Sequence, residues 1–239
     1  MRQTLFRQSG VLAQRYSAVL LGDPLRILLF LCQAPLAVGI LLLIQQESSL
    51  PSETLALWLP LAAFWGGGFT ACQELVRERA IFQREQVLGI TIPAYVLSKF
   101  RLLSVIAFLQ AALLLLLFSA AFSLSENLFF WWVFVYLCAL VGISFGLFMS
   151  AIAPNRLAAL SIVVIFALVH LALFYDAIAL GNPLSVLEYT PARMGITMAR
   201  ALVTSDPDMF ALLTGVGILG LWGGICGVLT ILLLRRVNR

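Results

Sequence analysis

Six apolar stretches dominate this sequence: Leu25–Ile44, Leu55–Cys72, Tyr95–Phe122, Leu128–Ala151, Leu157–Phe174 and Phe210–Leu234. Each is near the ~20 residues that carry a helix across the hydrocarbon core of a bilayer. Composition agrees, because 62% of residues are hydrophobic and 11% charged, where a soluble domain carries about 25% charged. The expected fold class is an all-α membrane protein of six transmembrane helices, forming a single transmembrane domain over residues 1–239.

The segment before the first span has a different pattern. Over Thr4–Leu21, Thr4, Arg7, Gln8, Gln14 and Arg15 fall on one side of a helix. Leu5, Phe6, Leu12, Ala13, Tyr16, Val19 and Leu20 fall on the other. A helix of this kind lies flat in the interface. Asp23 and Pro24 then suit a cap and a first turn. No apolar core with a small-residue cleavage site follows the initial Met, so the segment is expected to be retained.

Orientation follows from the basic residues. With the N-terminus inside, 13 of the 15 Lys and Arg lie on the inner side, and only Arg193 and Arg200 lie outside. Both termini are then cytoplasmic. The long connection, 175–209, faces out. Thr190 and Pro191 start a helix there that dips into the outer leaflet or covers the outer mouth. Cys32, Cys72, Cys138 and Cys226 all sit in apolar runs without a CxxC pair, so neither disulfides nor a metal site is expected.

Between the second and third spans lies a charged island, Gln73–Leu88, in which six of sixteen residues are ionisable and the signs alternate. The spacing predicts a helix outside the lipid, tied at both ends to spans. Mixed charge argues against a simple anionic-lipid anchor, and Ile81 and Phe82 amid the charges resemble interface anchors. Docking on a protein partner is the expectation.

Catalytic readings are weaker. Gly142-Ile143-Ser144-Phe145-Gly146 matches GxSxG, and Ser144 with His170 raises an intramembrane serine hydrolase. The same residues form GxxxG, which lets helices approach closely, and helix packing is the preferred reading. An ion-coupled carrier needs buried charge, whereas Arg26, Lys99 and Arg101 sit at inner ends where they can snorkel to water. Gln110 is expected to make an interhelical hydrogen bond, and His170 to pack. No GxxxxGK[ST] loop is present. No catalytic residue, metal or cofactor is therefore assigned to the chain.

The flat N-terminal helix, the island ELVRERAIFQRE, the Leu88-Gly89…Pro93-Ala94-Tyr95 re-entry with Lys99, the Ala153-Pro154-Asn155 turn and the long outer segment together resemble the type-2 ABC exporter permeases, above all the G subfamily and its bacterial relatives. The resemblance implies a connecting helix at 4–21 and a coupling helix at 73–88. Glu74, Arg77, Glu78, Arg79, Ile81, Phe82, Arg84 and Glu85 would contact an ABC ATPase. It also implies two ATPase copies holding ATP and Mg, and a second membrane subunit, identical or related. G-subfamily proteins usually carry the ATPase on the same chain, before the membrane domain; here only 24 residues precede the first span, so a separate ATPase chain is the expectation. Cargo, lipophilic or amphipathic, would pass between the second and fifth spans, along Phe64, Trp65, Phe69, Ile165, Phe166 and Leu173. No nucleic-acid partner is implied.

Overall fold

Residues 5–48, 51–122, 127–179, 190–203 and 209–237 are described by a computed structural model. Twelve helices occur among them: α1 (Leu5–Leu21), α2 (Pro24–Leu31), α3 (Gln33–Ser48), α4 (Ser52–Ala56), α5 (Leu59–Ala71), α6 (Glu74–Arg77), α7 (Arg79–Val87), α8 (Ile92–Phe122), α9 (Leu128–Ile152), α10 (Arg156–Ala179), α11 (Pro191–Val203) and α12 (Met209–Val237). Five stretches are long and apolar enough to cross a membrane: Pro24–Glu47, Thr54–Arg77, Ile92–Phe122, Leu128–Ile152 and Leu212–Arg236. A shorter apolar stretch, Arg156–Ala172, lies in α10. The chain is an all-α membrane protein.

Prolines set several boundaries. Pro24 opens α2, where the Asp23 carboxylate accepts from the Arg26 N–H. The first apolar run is not one helix but α2 and α3, and α2 ends at Leu31, four residues before Pro35. The second is split likewise: α4 ends at Ala56, four residues before Pro60. Proline has no N–H to offer the carbonyl four residues back, and its ring crowds that carbonyl.

The charged island also differs from the single helix expected over Gln73–Leu88. It is an elbow of α6 and α7 with a break at Glu78. The turn before α6 has a visible cause. The N–H groups of Leu75 and Val76 donate to the Ser150 hydroxyl of α9, at 3.0 and 3.1 Å, rather than back along their own helix. At the elbow, Glu78 is drawn to Lys99 of α8, while Arg79 donates to the Ala153 carbonyl beyond α9 at 2.8 Å. Adjacent side chains are pulled to opposite walls, and the backbone bends between them. Gly89, at φ +93°, then turns the chain into α8.

At the centre, α5 packs on α9. Ten of the thirteen residues of α5 are buried, which makes it the enclosed helix of the bundle. Its Gly67 lies against the Ala139 carbonyl of α9, Gly142 of α9 lies against the Phe64 carbonyl, and Gly146 against the Gly68 carbonyl. The GxxxG reading of Gly142 and Gly146 therefore holds, because backbone meets backbone with no side chain between. Other helices line the outside. Leu36, Leu116, Leu168 and Leu221 are exposed apolar residues of α3, α8, α10 and α12, as lipid-facing surfaces require.

Helix α11 packs on α5, α9 and α12. A side chain at its Gly195 would strike Pro60, and Met198 fills the space beside Gly215 of α12. The side chains of Arg193, Leu173, Tyr175 and Asp176 lie outside the described residues.

Candidate functional site

Four elements converge at the charged end of the bundle. Glu74 of α6 is 1% exposed. It forms an ion pair with Arg26 of α2 and accepts the Tyr16 hydroxyl of α1. Arg26 also donates to the Tyr16 oxygen at 3.3 Å. Lys99 of α8, 1% exposed, lies 2.6 Å from a Glu78 oxygen and 3.9 Å from Glu74. Its ammonium stands 3.2 Å from the Tyr16 ring centroid, a cation–π geometry. A buried ammonium without counter-charge is strongly disfavoured, and two carboxylates and a π face answer that need here.

Lys99 thus does not snorkel, contrary to the sequence-based expectation. Its side chain turns inward because α1 crosses the start of α8 and covers it. Arg101 does stay exposed, donating to the Ser9 hydroxyl at 3.3 Å.

The elbow has an inward and an outward stripe. Inward, Glu78, Phe82 and Glu85 recur at helical spacing. The Phe82 ring stacks on Tyr95 of α8 at 4.0 Å between centroids, and Glu85 pairs with Arg15 of α1. Of the residues expected to touch an ATPase, Glu74, Phe82 and Glu85 are buried, and Glu78 and Arg79 are held inside the chain by Lys99 and the Ala153 carbonyl. Buried groups cannot offer a contact surface, so their role is to fasten the elbow. Outward, Ala80, Ile81, Arg84, Val87 and Leu88 are exposed. Arg77 is exposed too, 3.9 Å from Asp23. Sequence reasoning named Ile81, Arg84 and Arg77 but missed Val87 and Leu88. Their spacing from Ala80, Ile81 and Arg84, at i+3, i+4 and i+7, was the available signal.

A second feature lies among α3, α5 and α10. An apolar cleft of about 760 Å³ is lined there by Leu36, Ile40, Trp58, Trp65, Phe69 and Leu168, among others. Trp65 and Phe69 were expected on a cargo route, and both line it. Phe64 does not: it is 5% exposed, wedged against Phe145 and His170. Ile165 and Phe166 are exposed on α10, but the α10 residues on the cleft are Ala167, Leu168, Leu171 and Ala172. At 100° per residue Phe166 falls on the side of α10 opposite this stripe, where its ring is 6.0 Å from that of Phe145 of α9. Leu173, as noted, falls outside the described side chains.

Ser144 and His170 are not brought together. The Ser144 hydroxyl donates to the Leu140 carbonyl of its own helix at 3.2 Å and lies beside Gly223 of α12. His170 sits edge-on to Phe64 and Trp65 of α5. A serine nucleophile needs a base within hydrogen-bond reach, and this pair occupies different flanks of the bundle. Replacing Ser144 with alanine orphans no buried partner, because Leu140 retains its helical acceptor role. The variant is expected to melt within about 0.5 kcal/mol of the parent in detergent. A larger loss would show a partner beyond Leu140.

The sequence profile of the ABC-2 type transporter family matches residues 10–175. This chain belongs to that family. The ABC-2 match runs from α1 into α10 and so includes both the charged end and the apolar cleft. A relative, an ABC transporter ATP-binding/permease protein of Mycobacterium tuberculosis, is 26% identical over 236 residues. That alignment covers 89% of this chain and 27% of the relative, so the chain spans about a quarter of the relative's length. As an ABC-2 protein, the chain carries the membrane part of an ABC transporter.

Proposed function

We propose that this chain is the membrane subunit of an ATP-driven exporter, coupled through α7 to an ABC ATPase on a partner chain. The observation that carries the reading is the division of α7 into two stripes. One is fastened to α1 and α8, and the neighbouring Arg79 and Ser150 contacts reach α9. The other, Ala80, Ile81, Arg84, Val87 and Leu88, faces outward. An element bonded to three others and bare on its far side moves them together when pushed. Residues 1–239 contain no GxxxxGK[ST] loop, so ATP and Mg are assigned to an ABC ATPase outside these residues, two copies per transporter. A second membrane subunit, identical or related, would complete the path.

The positive-inside distribution supports a cytoplasmic charged end with both termini inside, in a bacterial inner membrane. The uncharged cleft with Trp58, Trp65 and Phe69 supports a lipophilic or amphipathic cargo.

The test is a double substitution on the outer stripe, Ile81→Asp with Arg84→Glu. Both side chains are exposed, so thermal stability is expected to stay within about 0.5 kcal/mol. ATPase activity copurifying from native membranes with the tagged chain should fall at least roughly tenfold, the loss of a central anchor. Undiminished copurified ATPase activity would count against the proposal.

A further inference from the structure

The apolar cleft has a polar alcove. A niche of about 20 Å³ opens beside it, lined by Gln33, Ala63, Gly66, Gln110, Ala111 and Leu114 among others. Gln33, Ala37, Ala62 and Gly66 line both the niche and the wide cleft, so the two adjoin. A space of ~10–15 Å³ admits one water-sized group. None of the residues lining either space is charged.

Gln110 is 7% exposed, and its neighbours fix the sense of its amide. The Nε2 group donates to the Phe30 carbonyl at 2.7 Å and to Thr70 Oγ1 at 3.1 Å, with Gln33 Oε1 further off at 3.5 Å. A carbonyl only accepts, and the Thr70 hydroxyl proton is committed to the Gly66 carbonyl at 2.7 Å. Both neighbours therefore need a donor, and the amide cannot be reversed. The Gln110 carbonyl oxygen is left without a partner among the described residues. A buried acceptor of this kind is normally satisfied. The indole N–H of Trp65, on the wide cleft, is likewise unpaired among the described residues.

We infer that cleft and niche form one binding site for a lipophilic molecule ending in a single neutral hydrogen-bond donor, a hydroxyl, which enters the niche and donates to the Gln110 carbonyl oxygen. The apolar body fills the cleft. A charged head is excluded, since nothing in the lining compensates it. The inference rests on the reading of the chain as a transporter of lipophilic cargo and narrows its cargo class. In the ligand-free state a water fits the same niche, and the alternative to a ligand site is a niche that holds water only.

The probe is a long-chain primary alcohol bearing a diazirine, compared with its methyl ether, which cannot donate. Both are photolysed with the full chain in lipid nanodiscs, and adducts on the peptides containing Gln33–Ile44 and Trp58–Phe69 are quantified. The alcohol is expected to label roughly tenfold more than the ether, the worth of one buried hydrogen bond. Gln110→Leu should reduce alcohol labelling to the ether's level. Gly66→Ala should do the same while leaving the Phe30 and Thr70 bonds of Gln110 in place. Its added Cβ meets only Gln33 Oε1, at an ordinary 3.5 Å, and occupies the niche. Equal labelling by alcohol and ether in the parent, or a preference that survives Gly66→Ala, would overturn the inference and leave a water-only niche. No nucleotide or ATPase enters this measurement. Its failure is therefore separate from failure of the coupling proposal, which is read from copurified ATPase activity.

Discussion

Gly142→Ala is expected to abolish the folded chain. A Cβ at that position would land on the Phe64 backbone carbonyl of α5, and Gly68 N would be pressed as well. Overpacking normally costs about 1–3 kcal/mol because a side chain can turn aside. Here the obstacle is backbone in the most enclosed helix, so α5 and α9 must separate along their length. The neighbouring contacts of Gly67 with Ala139 and of Gly146 with Gly68 would open with them. In a bilayer, lipid tails are as apolar as leucine, and helices associate through this close packing rather than through exclusion of water. The cost is therefore expected to exceed about 3 kcal/mol. Size-exclusion profile and melting in detergent measure it. Gly39→Ala and Gly217→Ala serve as controls: nothing lies within 4 Å of a Cβ at either position, and both should be neutral or stabilising by up to ~1 kcal/mol. A monodisperse Gly142→Ala protein melting with the controls would refute the backbone contact.

Lys99→Met should be the second most damaging change. It removes the ammonium that stands 2.6 Å from Glu78 and 3.9 Å from Glu74. Breaking a buried ion pair from one side costs about 3–5 kcal/mol, because the remaining charge has lost its partner without regaining water. Glu74 keeps Arg26 and Tyr16, so the stranded charge is that of Glu78. The double variant Lys99→Met with Glu78→Gln removes both partners and should recover most of the loss, since an apolar or neutral pair in place of a buried ion pair is often no less stable. Melting of the single and double variants checks this. A single variant within ~1 kcal/mol of the parent would mean that Lys99 reaches water after all. Because α1, α6 and α8 meet at this cluster, the single variant should also loosen α1, detectable as faster proteolysis near Arg15.

The fold class was legible because it rests on averages. Six apolar runs of bilayer length, an amphipathic run before them and a charged island between two of them survive errors of a few residues. Proline positions carried more than was drawn from them. The splits at Leu31 and Ala56 follow from Pro35 and Pro60 by counting back four. The break at Glu78 had no such marker. It arises from Lys99 and the Ala153 carbonyl, both distant in sequence.

The charged end was legible as a region, but which of its residues turn inward was not. Alternating charges in Gln73–Leu88 marked an element with polar business outside the lipid. They did not distinguish Glu74 and Glu85, turned in to Arg26 and Arg15, from Arg84, turned out. All are ionisable residues of one short run, and only the neighbouring surface decides whether a charge is turned in and paired or turned out. Val87 and Leu88 were overlooked for the converse reason: apolar residues at the end of a charged helix look like core until nothing is found to cover them.

The sequence by itself determined that this chain lives in a membrane as a helical bundle with a charged segment between two spans, because length, hydropathy and periodicity are properties of contiguous residues. The tertiary structure decided which charges fasten that elbow, which stripe stays bare, and where an uncharged cleft meets an unpaired glutamine oxygen. Those depend on residues such as Tyr16, Arg26, Glu74 and Lys99 arriving at one place from four separate elements, and burial is a property of the assembled surface rather than of any segment in it.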